Sequence, residues 1–208
     1  MRDWYEEVWA EIPAEARGEE FARRQAFLLA EVRPGVRLLD LGCGSGAFAA
    51  AARAAGAEVV GVDIAQGALD RAAALDPELD LRLAPPHGPL PLADGAVELV
   101  WASEVIEHVA DTAGWLSEVR RVLAPRGRLL LTTPFHGRLS LAVAALTGPE
   151  RRFDPQGQHL RFYTRRSLAG LLAEFGFDEI DVRPAGGPPG LRRLLLARAR
   201  RAGLAGRR

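Results

Sequence analysis

The sequence predicts an α/β fold, a parallel sheet wound by helices on both faces. Three observations predict it. Short apolar segments alternate five times with segments of helical spacing. A glycine cluster, GCGSG at 42–46, separates the first strand from the helix after it. A carboxylate, Asp63, closes the second strand about 20 residues further on.

Each element follows in chain order. Residues 2–10 and 18–31 have helical spacing, broken at Ile12 and Pro13. VRLLDL (36–41) reads as a short buried strand, and AFAAAARAAG (47–56) as a helix closed by Gly56. AEVVGVD (57–63) is a second strand, QGALDRAAAL (66–75) a helix stopped before Pro77, and LDLRLA (79–84) a third strand. Residues 85–96 are a loop rich in proline and glycine, followed by the strand VELVWA (97–102). Residues 104–123 are expected to be helical, with Asp111 able to cap a restart. RLLLTTP (128–134) is a fifth strand, and 135–163 a long irregular segment over the same rim. Thr164 caps the helix RRSLAGLLAEF, which stops at Gly176, and FDEIDVR (177–183) is a sixth strand. The last piece, GLRRLLLARARRAG, reads either as a basic amphipathic helix or as a strand LLLARA; we prefer the strand.

Two hundred and eight residues fit one domain. The expected layout is an N-terminal helical lid at 1–32, a core at 36–183 and an arginine-rich segment at 184–208, the last strand plus a tail. The N-terminus is acidic and aromatic, without the basic-then-apolar layout of a signal peptide, so the expected location is cytoplasmic. All 27 basic residues are arginine. The absence of lysine excludes a phosphate-loop lysine and Schiff-base chemistry. The single cysteine, Cys43, excludes an intrachain disulfide and a cysteine cluster. Zero net charge hides an asymmetry: residues 183–208 hold eight arginines and no acid. Such a tail suggests an anionic partner, peripheral contact with a membrane surface, or docking on the body.

In a sheet of this kind ligands bind beyond the carboxyl ends of the strands. Gly42, Gly44 and Gly46 let the backbone turn tightly and approach a ligand there. Asp63 is placed to accept both hydroxyls of a ribose, and Ile64 to cover a base. Asp40 precedes the bend. A carboxylate there suits a cationic ligand and repels a pyrophosphate.

These runs together, DLGCGSG, VVGVDIA, PLADGAVELVWASEVIEHV, VLAPRGRLLLTTP and HLRFYTRRSLAGLLAEFGF, resemble the class I S-adenosylmethionine-dependent methyltransferases. The resemblance implies a Rossmann-like sheet of seven strands with the last antiparallel, and S-adenosyl-L-methionine as cofactor. It implies cofactor contacts at Gly42, Gly44, Asp63 and, at the end of strand four, Ser103; Asp40, Cys43, Gly46 and Ile64 complete the expected cofactor-binding set. One departure stands out. Many members carry an acid after strand three that receives the adenine amino group, whereas this chain has LAPPHGPLPL, leaving a backbone carbonyl near Ala84 or Pro85, or His87.

The stretch ASEVIEHV (102–109) places Glu104, Glu107 and His108 at offsets of three and four. On a helix, Glu107 and His108 would share a face with Glu104. Three readings compete. The acids favour a helix N-terminus and His108 packs; or His108 is a general base for methyl transfer; or the group holds a divalent ion. The third rests on the resemblance, since E-x-x-E-H occurs with a later histidine in ubiquinone-biosynthesis O-methyltransferases and small-RNA 3′-end methyltransferases; His159 matches that histidine. We assign His108 as the catalytic residue and no residue as a metal ligand.

The expected function is methyl transfer from S-adenosylmethionine to a small molecule, at oxygen. The alternatives are RNA 3′ ends or a membrane-linked lipid as acceptor, guided by the arginine tail, and a non-catalytic binding module. A nucleic-acid acceptor is disfavoured. No Asp/Asn-Pro-Pro-Tyr motif follows strand four, and Cys43 lies in the bend rather than at a nucleophile's place. Trp4, Tyr5 and Trp9 would form a lid or a docked amphipathic helix. Arg23 or Arg24 could reach the cofactor carboxylate, although a solvated helix face is preferred for both. His136 and Arg138 could line the acceptor pocket.

Overall fold

A computed structural model describes residues 18–86, 88–148 and 159–203. The readings placed on residues 2–10, on Trp4, Tyr5 and Trp9, and on His87 lie outside them.

Seven strands form one sheet: β1 (Arg37–Leu41), β2 (Glu58–Asp63), β3 (Asp80–Leu83), β4 (Val97–Ser103), β5 (Leu123–Pro134), β6 (Phe177–Ala185) and β7 (Leu194–Arg201). Their order is β3-β2-β1-β4-β5-β7-β6. All neighbouring pairs are parallel except those of β7, which runs antiparallel to both β5 and β6. The chain order reverses between β1 and β4, so the switch point lies at the carboxyl ends of those two strands.

Side chains of successive residues leave a strand on opposite faces. Leu39 of β1 and Val100 of β4 therefore join one core cluster, while Leu38, Leu99 and Trp101 join the other. Both faces are buried, which is why these strands read as continuous apolar runs. Helix α1 (Glu19–Leu29) and α2 (Ala47–Ala54) cover the second face. Phe21 stacks on Phe48 at 4.6 Å, and Phe48 meets the edge of Trp101 at 5.3 Å. Helix α3 is Gln66–Leu75, α4 Thr112–Val122, α5 Arg138–Thr147 and α6 Arg165–Glu174. Asp111 caps α4 through Gly114 N–H at 2.9 Å, and Thr164 opens α6 with a capping box to Ser167.

Three expectations need correction. Residues 104–111 are not α-helical: Glu104 is left-handed at φ 56°, and a 3₁₀ turn occupies Ile106–His108 before α4 begins. The fifth strand begins at Leu123 rather than 128, because Val97 pairs with Leu123 before the register shifts to Leu99 and Arg128. The segment after β5 is not wholly irregular, since apolar α5 forms there.

The centre of the arginine-rich segment is β7. Arg198 pairs with Glu31 at 2.6 Å, Arg200 with Asp178 at 2.9 Å and Glu179 at 2.7 Å, and Arg201 donates to the Leu123 carbonyl. Glu31 also holds Arg128 of β5. Arg198, Arg200 and Arg201 tie β7 to β5, β6 and the turn after α1, while Arg207 and Arg208 of the tail lie outside the described residues. No helix among the described residues is long and apolar enough to cross a membrane.

Candidate active site

The bend after β1 is fastened to the end of β2. Gly42 N–H and Cys43 N–H both donate to the Val62 carbonyl, at 2.8 and 3.0 Å. Gly44 N–H donates to Asp63 Oδ2 at 2.9 Å, and Ala65 N–H to Oδ1 at 3.0 Å. A carboxylate has about four lone-pair positions. Asp63 thus acts as a strut for the bend without losing its capacity to accept hydroxyls. Gly42 and Gly46 have φ of 74° and 77°, which only glycine adopts without strain. Gly46 also abuts Ala72 of α3, where an added Cβ would stand 2.8 Å from the alanine methyl.

Asp40 lies beneath the bend, 1% exposed. Ala49 N–H, in the first turn of α2, donates to it, serving a helix end whose N-cap is a glycine. Its Oδ2 has no hydrogen-bond partner. Burial first, then the neighbouring Asp63, pushes its pKa up to about 8. Cys43 is buried and the same pair of acids adds to the burial that raises its thiol pKa. Its thiol is therefore inert and its contribution is backbone. Ile64 packs half-buried against the core, and Ala84 N–H donates to the Asp63 carbonyl at 2.8 Å.

At the end of β4, Ser103 and Glu104 join a polar network. Thr132 Oγ1 donates to Glu104 Oε1 at 2.9 Å and lies 3.1 Å from Ser103 Oγ. Arg24 Nη1 donates to Ser103 Oγ at 3.1 Å, with the guanidinium 5.7 Å from the Phe48 ring. The solvated face preferred for Arg24 is therefore wrong: it reaches across to β4. Burial raises the pKa of Glu104, and Arg24 opposes that shift.

The 3₁₀ turn then buries Glu107 completely and leaves His108 half-buried. Thr133 Oγ1 donates to Glu107 Oε2 at 3.0 Å. Glu107 Oε1 has no hydrogen-bond partner and lies 3.9 Å from His108 Nε2. Burial, then Glu104, lifts the pKa of Glu107 to about 8. The Glu107 carbonyl accepts N–H bonds from Leu160 at 2.9 Å and Arg161 at 3.2 Å. Those bonds bring His159 alongside, with its ring 4.9 Å from that of His108. One ligand atom from each of Glu107, His108 and His159 lies within 4.8 Å of the other two. Partial burial lowers the pKa of His159, favouring the neutral imidazole.

Asp40, Asp63, Glu104 and Glu107 cluster at this rim, and a bound cation would draw the raised carboxyls of Asp40 and Glu107 toward their ionised forms. His108 and His159, distant in sequence, do meet. Glu104 faces Thr132 rather than the histidine pair. His136 stands by Phe162, with ring centroids 5.6 Å apart. Sequence reading passed over Thr132 and Thr133. Their signal was two hydroxyls ending an otherwise leucine-rich strand, at 0% and 1% exposure.

Residues 13–182 match the family described as Methyltransferase domain. A "Ubiquinone biosynthesis O-methyltransferase" of Ruegeria pomeroyi is 36% identical over 155 residues, 71% of this chain and 62% of that one. An "Uncharacterized 37.1 kDa protein in transposon TN4556" of Streptomyces fradiae is 38% identical over 173 residues, 74% of this chain and 47% of that one. The chain spans about half to six tenths of the length of these curated relatives. An S-adenosylmethionine-dependent methyltransferase structure from Mesorhizobium loti superposes with a TM-score of 0.69 at 22% identity, covering 88% of this chain and 98% of that one. That likeness concerns the fold.

Proposed function

The chain belongs to the class I S-adenosylmethionine-dependent methyltransferases, and from that membership we propose that it methylates an oxygen of a small-molecule acceptor. The observation that carries this reading is the convergence of Glu107, His108 and His159 at the carboxyl end of β4, beside the bend that would hold the cofactor. Relatives named as ubiquinone biosynthesis O-methyltransferases, at 34–36% identity, support it.

Reaction requires an oxygen lone pair aligned with the methyl–sulfur bond. The oxygen attacks the methyl carbon, the carbon–sulfur bond breaks, and its electron pair leaves sulfur neutral in S-adenosylhomocysteine. The hydroxyl proton passes to the imidazole of His108. Glu107 Oε1 lies 3.9 Å from Nε2, and the imidazolium that results draws the raised Glu107 carboxyl toward its ionised form. Asp63 and the bend at 42–46 hold the adenosine; Asp40 and the acidic rim favour the sulfonium over its neutral product.

A second reading has one specific observation behind it. The buried, unpartnered oxygen of Glu107 and the two imidazoles form a mixed donor set that fits a divalent cation of the manganese, iron or cobalt kind. Such an ion would grip two adjacent hydroxyls and lower the pKa of the one attacked.

Transfer of labelled methyl to phenols and vicinal diols, with and without EDTA, tests both. Incorporation as a base-stable ether is expected. Full activity in EDTA favours His108 as base; loss restored by manganese favours the ion. Transfer only to amines, or to no small molecule, contradicts the proposal.

A further inference from the structure

His159 meets His108 from 51 positions along the chain. Among the described residues, the bonds nearest to it in sequence are made by its next two neighbours. Leu160 N–H and Arg161 N–H share the Glu107 carbonyl, at 2.9 and 3.2 Å. The half-buried Arg161 side chain then crosses the turn. Its Nη1 donates to the Val109 carbonyl, and its Nη2 to the Ala110 carbonyl at 2.7 Å. Both carbonyls directly follow the 3₁₀ turn at Ile106–His108, where the run of backbone bonds has ended. The Val109 carbonyl has one further, longer contact, from Thr112 Oγ1 at 3.4 Å. Tyr163 is buried and pairs with Phe135, just after β5, which fixes the other end of the segment beside that strand.

We propose that Arg161 is a positioning residue for methyl transfer: its guanidinium clamps the turn that carries His108 to the segment that carries His159, and so sets the spacing of the two rings. Its effect on rate rests on the O-methylation reading, whereas its effect on the ring pair does not. A guanidinium suits the task because its terminal nitrogens lie in one plane and donate side by side. Val109 and Ala110, adjacent in the chain, present two acceptors to that fork. A lysine ammonium is a point donor on a flexible stem, so charge alone does not serve. The ring pair is where such a clamp matters. The two rings stand 4.9 Å apart at 66° to each other, with a Glu107 oxygen in reach of both. Where a proton acceptor must meet a substrate hydroxyl, a misplacement of about 1 Å can cost about a hundredfold in rate. None of these bonds involves the bend at 42–46 or Asp63, so the cofactor cradle is expected to hold without Arg161.

Nuclear magnetic resonance of the full chain with carbon-13-labelled histidine, in EDTA to keep out paramagnetic ions, reads the ring pair without any acceptor. The chain has only four histidines, so the spectrum is simple. Wild type should show a nuclear Overhauser contact between the ring protons of His108 and His159. Arg161→Met keeps the stem and removes the fork; it should lose that contact and keep wild-type affinity for S-adenosylhomocysteine. Its kcat for methyl transfer should fall by about 10–100-fold, with little change in KM for the methyl donor. Arg161→Lys should behave like Arg161→Met. Millimolar guanidinium added to Arg161→Ala should return the ring contact and part of the rate, and methylammonium should not. Absence of the ring contact in wild type overturns the proposal, as does an Arg161→Met protein that keeps both the contact and the wild-type kcat. So does a variant whose S-adenosylhomocysteine affinity falls in step with its rate, which would make Arg161 a support of the whole fold. A wild type that shows the contact, loses it in Arg161→Met and methylates no oxygen acceptor would sink the O-methylation reading and leave the clamp standing.

Discussion

Gly42 and Val105 are in contact across the site: an added Cβ on Gly42 would stand 2.5 Å from Val105 Cγ2. The bend after β1 is thereby packed against the turn that carries Glu107 and His108. A shift in either moves the other.

Gly42→Ala should therefore weaken S-adenosylhomocysteine binding by about tenfold and destabilise the fold by about 1–3 kcal/mol, combining overpacking with a strained φ. Adding Val105→Ala should restore part of the loss, since it removes the clash but not the strain. Calorimetric binding and thermal melts of the single and double variants measure the coupling. Strict additivity would show that the two residues do not press on each other.

Asp40 sets a pH dependence. Its ordinary pKa is 3.8 and in the fold it is about 8, so the folded state holds a proton that the unfolded state gives up between those values. Its contribution to stability is fully present below about pH 4 and is lost as pH rises through about 8. Melting temperature should fall more steeply from pH 5 to 8 in wild type than in Asp40→Asn. A cationic ligand favours the ionised carboxylate, so S-adenosylmethionine binding at neutral pH should release a proton. The heat of binding should vary with the ionisation enthalpy of the buffer, and less so in Asp40→Asn.

Thr133 positions Glu107 through its hydroxyl. Thr133→Val should lower kcat for methyl transfer by about tenfold, leave S-adenosylhomocysteine affinity unchanged, and cost about 1–3 kcal/mol by stranding a buried carboxyl. Thr133→Ser should recover most of the rate. Equal loss in both variants would assign the residue to packing alone.

Glu31 joins α1 to β5 and β7 through Arg128 and Arg198. Its side chain is 11% exposed, its partners just over 40%. Glu31→Gln should destabilise by about 1–2 kcal/mol, less at high salt, with cofactor affinity intact. Deleting 190–208 removes β7, the strand between β5 and β6, and should leave no cooperative thermal transition.

The sheet was legible because its strands are buried on both faces and glycines or prolines punctuate them. The bend and Asp63 were legible for a related reason: a strand-to-helix turn constrains residue type at each position. The stretch 104–111 misled because charge at helical offsets does not reveal a left-handed residue. Glu104 takes that conformation while its N–H and side chain both bond to Thr132, a tertiary partner 28 residues away. The arginine-rich segment was legible in part, as a strand and as a charge that could dock on the body. Of the options its charge left open, docking on the body holds for Arg198 and Arg200, which Glu31, Asp178 and Glu179 answer from within. Helix α5 was hidden because its leucines do not pattern to one face.

The most direct measurement is calorimetric titration of S-adenosylhomocysteine into wild type and Asp63→Asn, with circular dichroism confirming that both are folded. The expected result is one-to-one binding with Kd in the range of about 1–100 μM, weakened more than about tenfold in Asp63→Asn by loss of the ribose acceptor. Absence of binding to wild type at about 1 mM, or equal affinity in the two proteins, would contradict the assignment of the bend and Asp63 as the adenosine cradle.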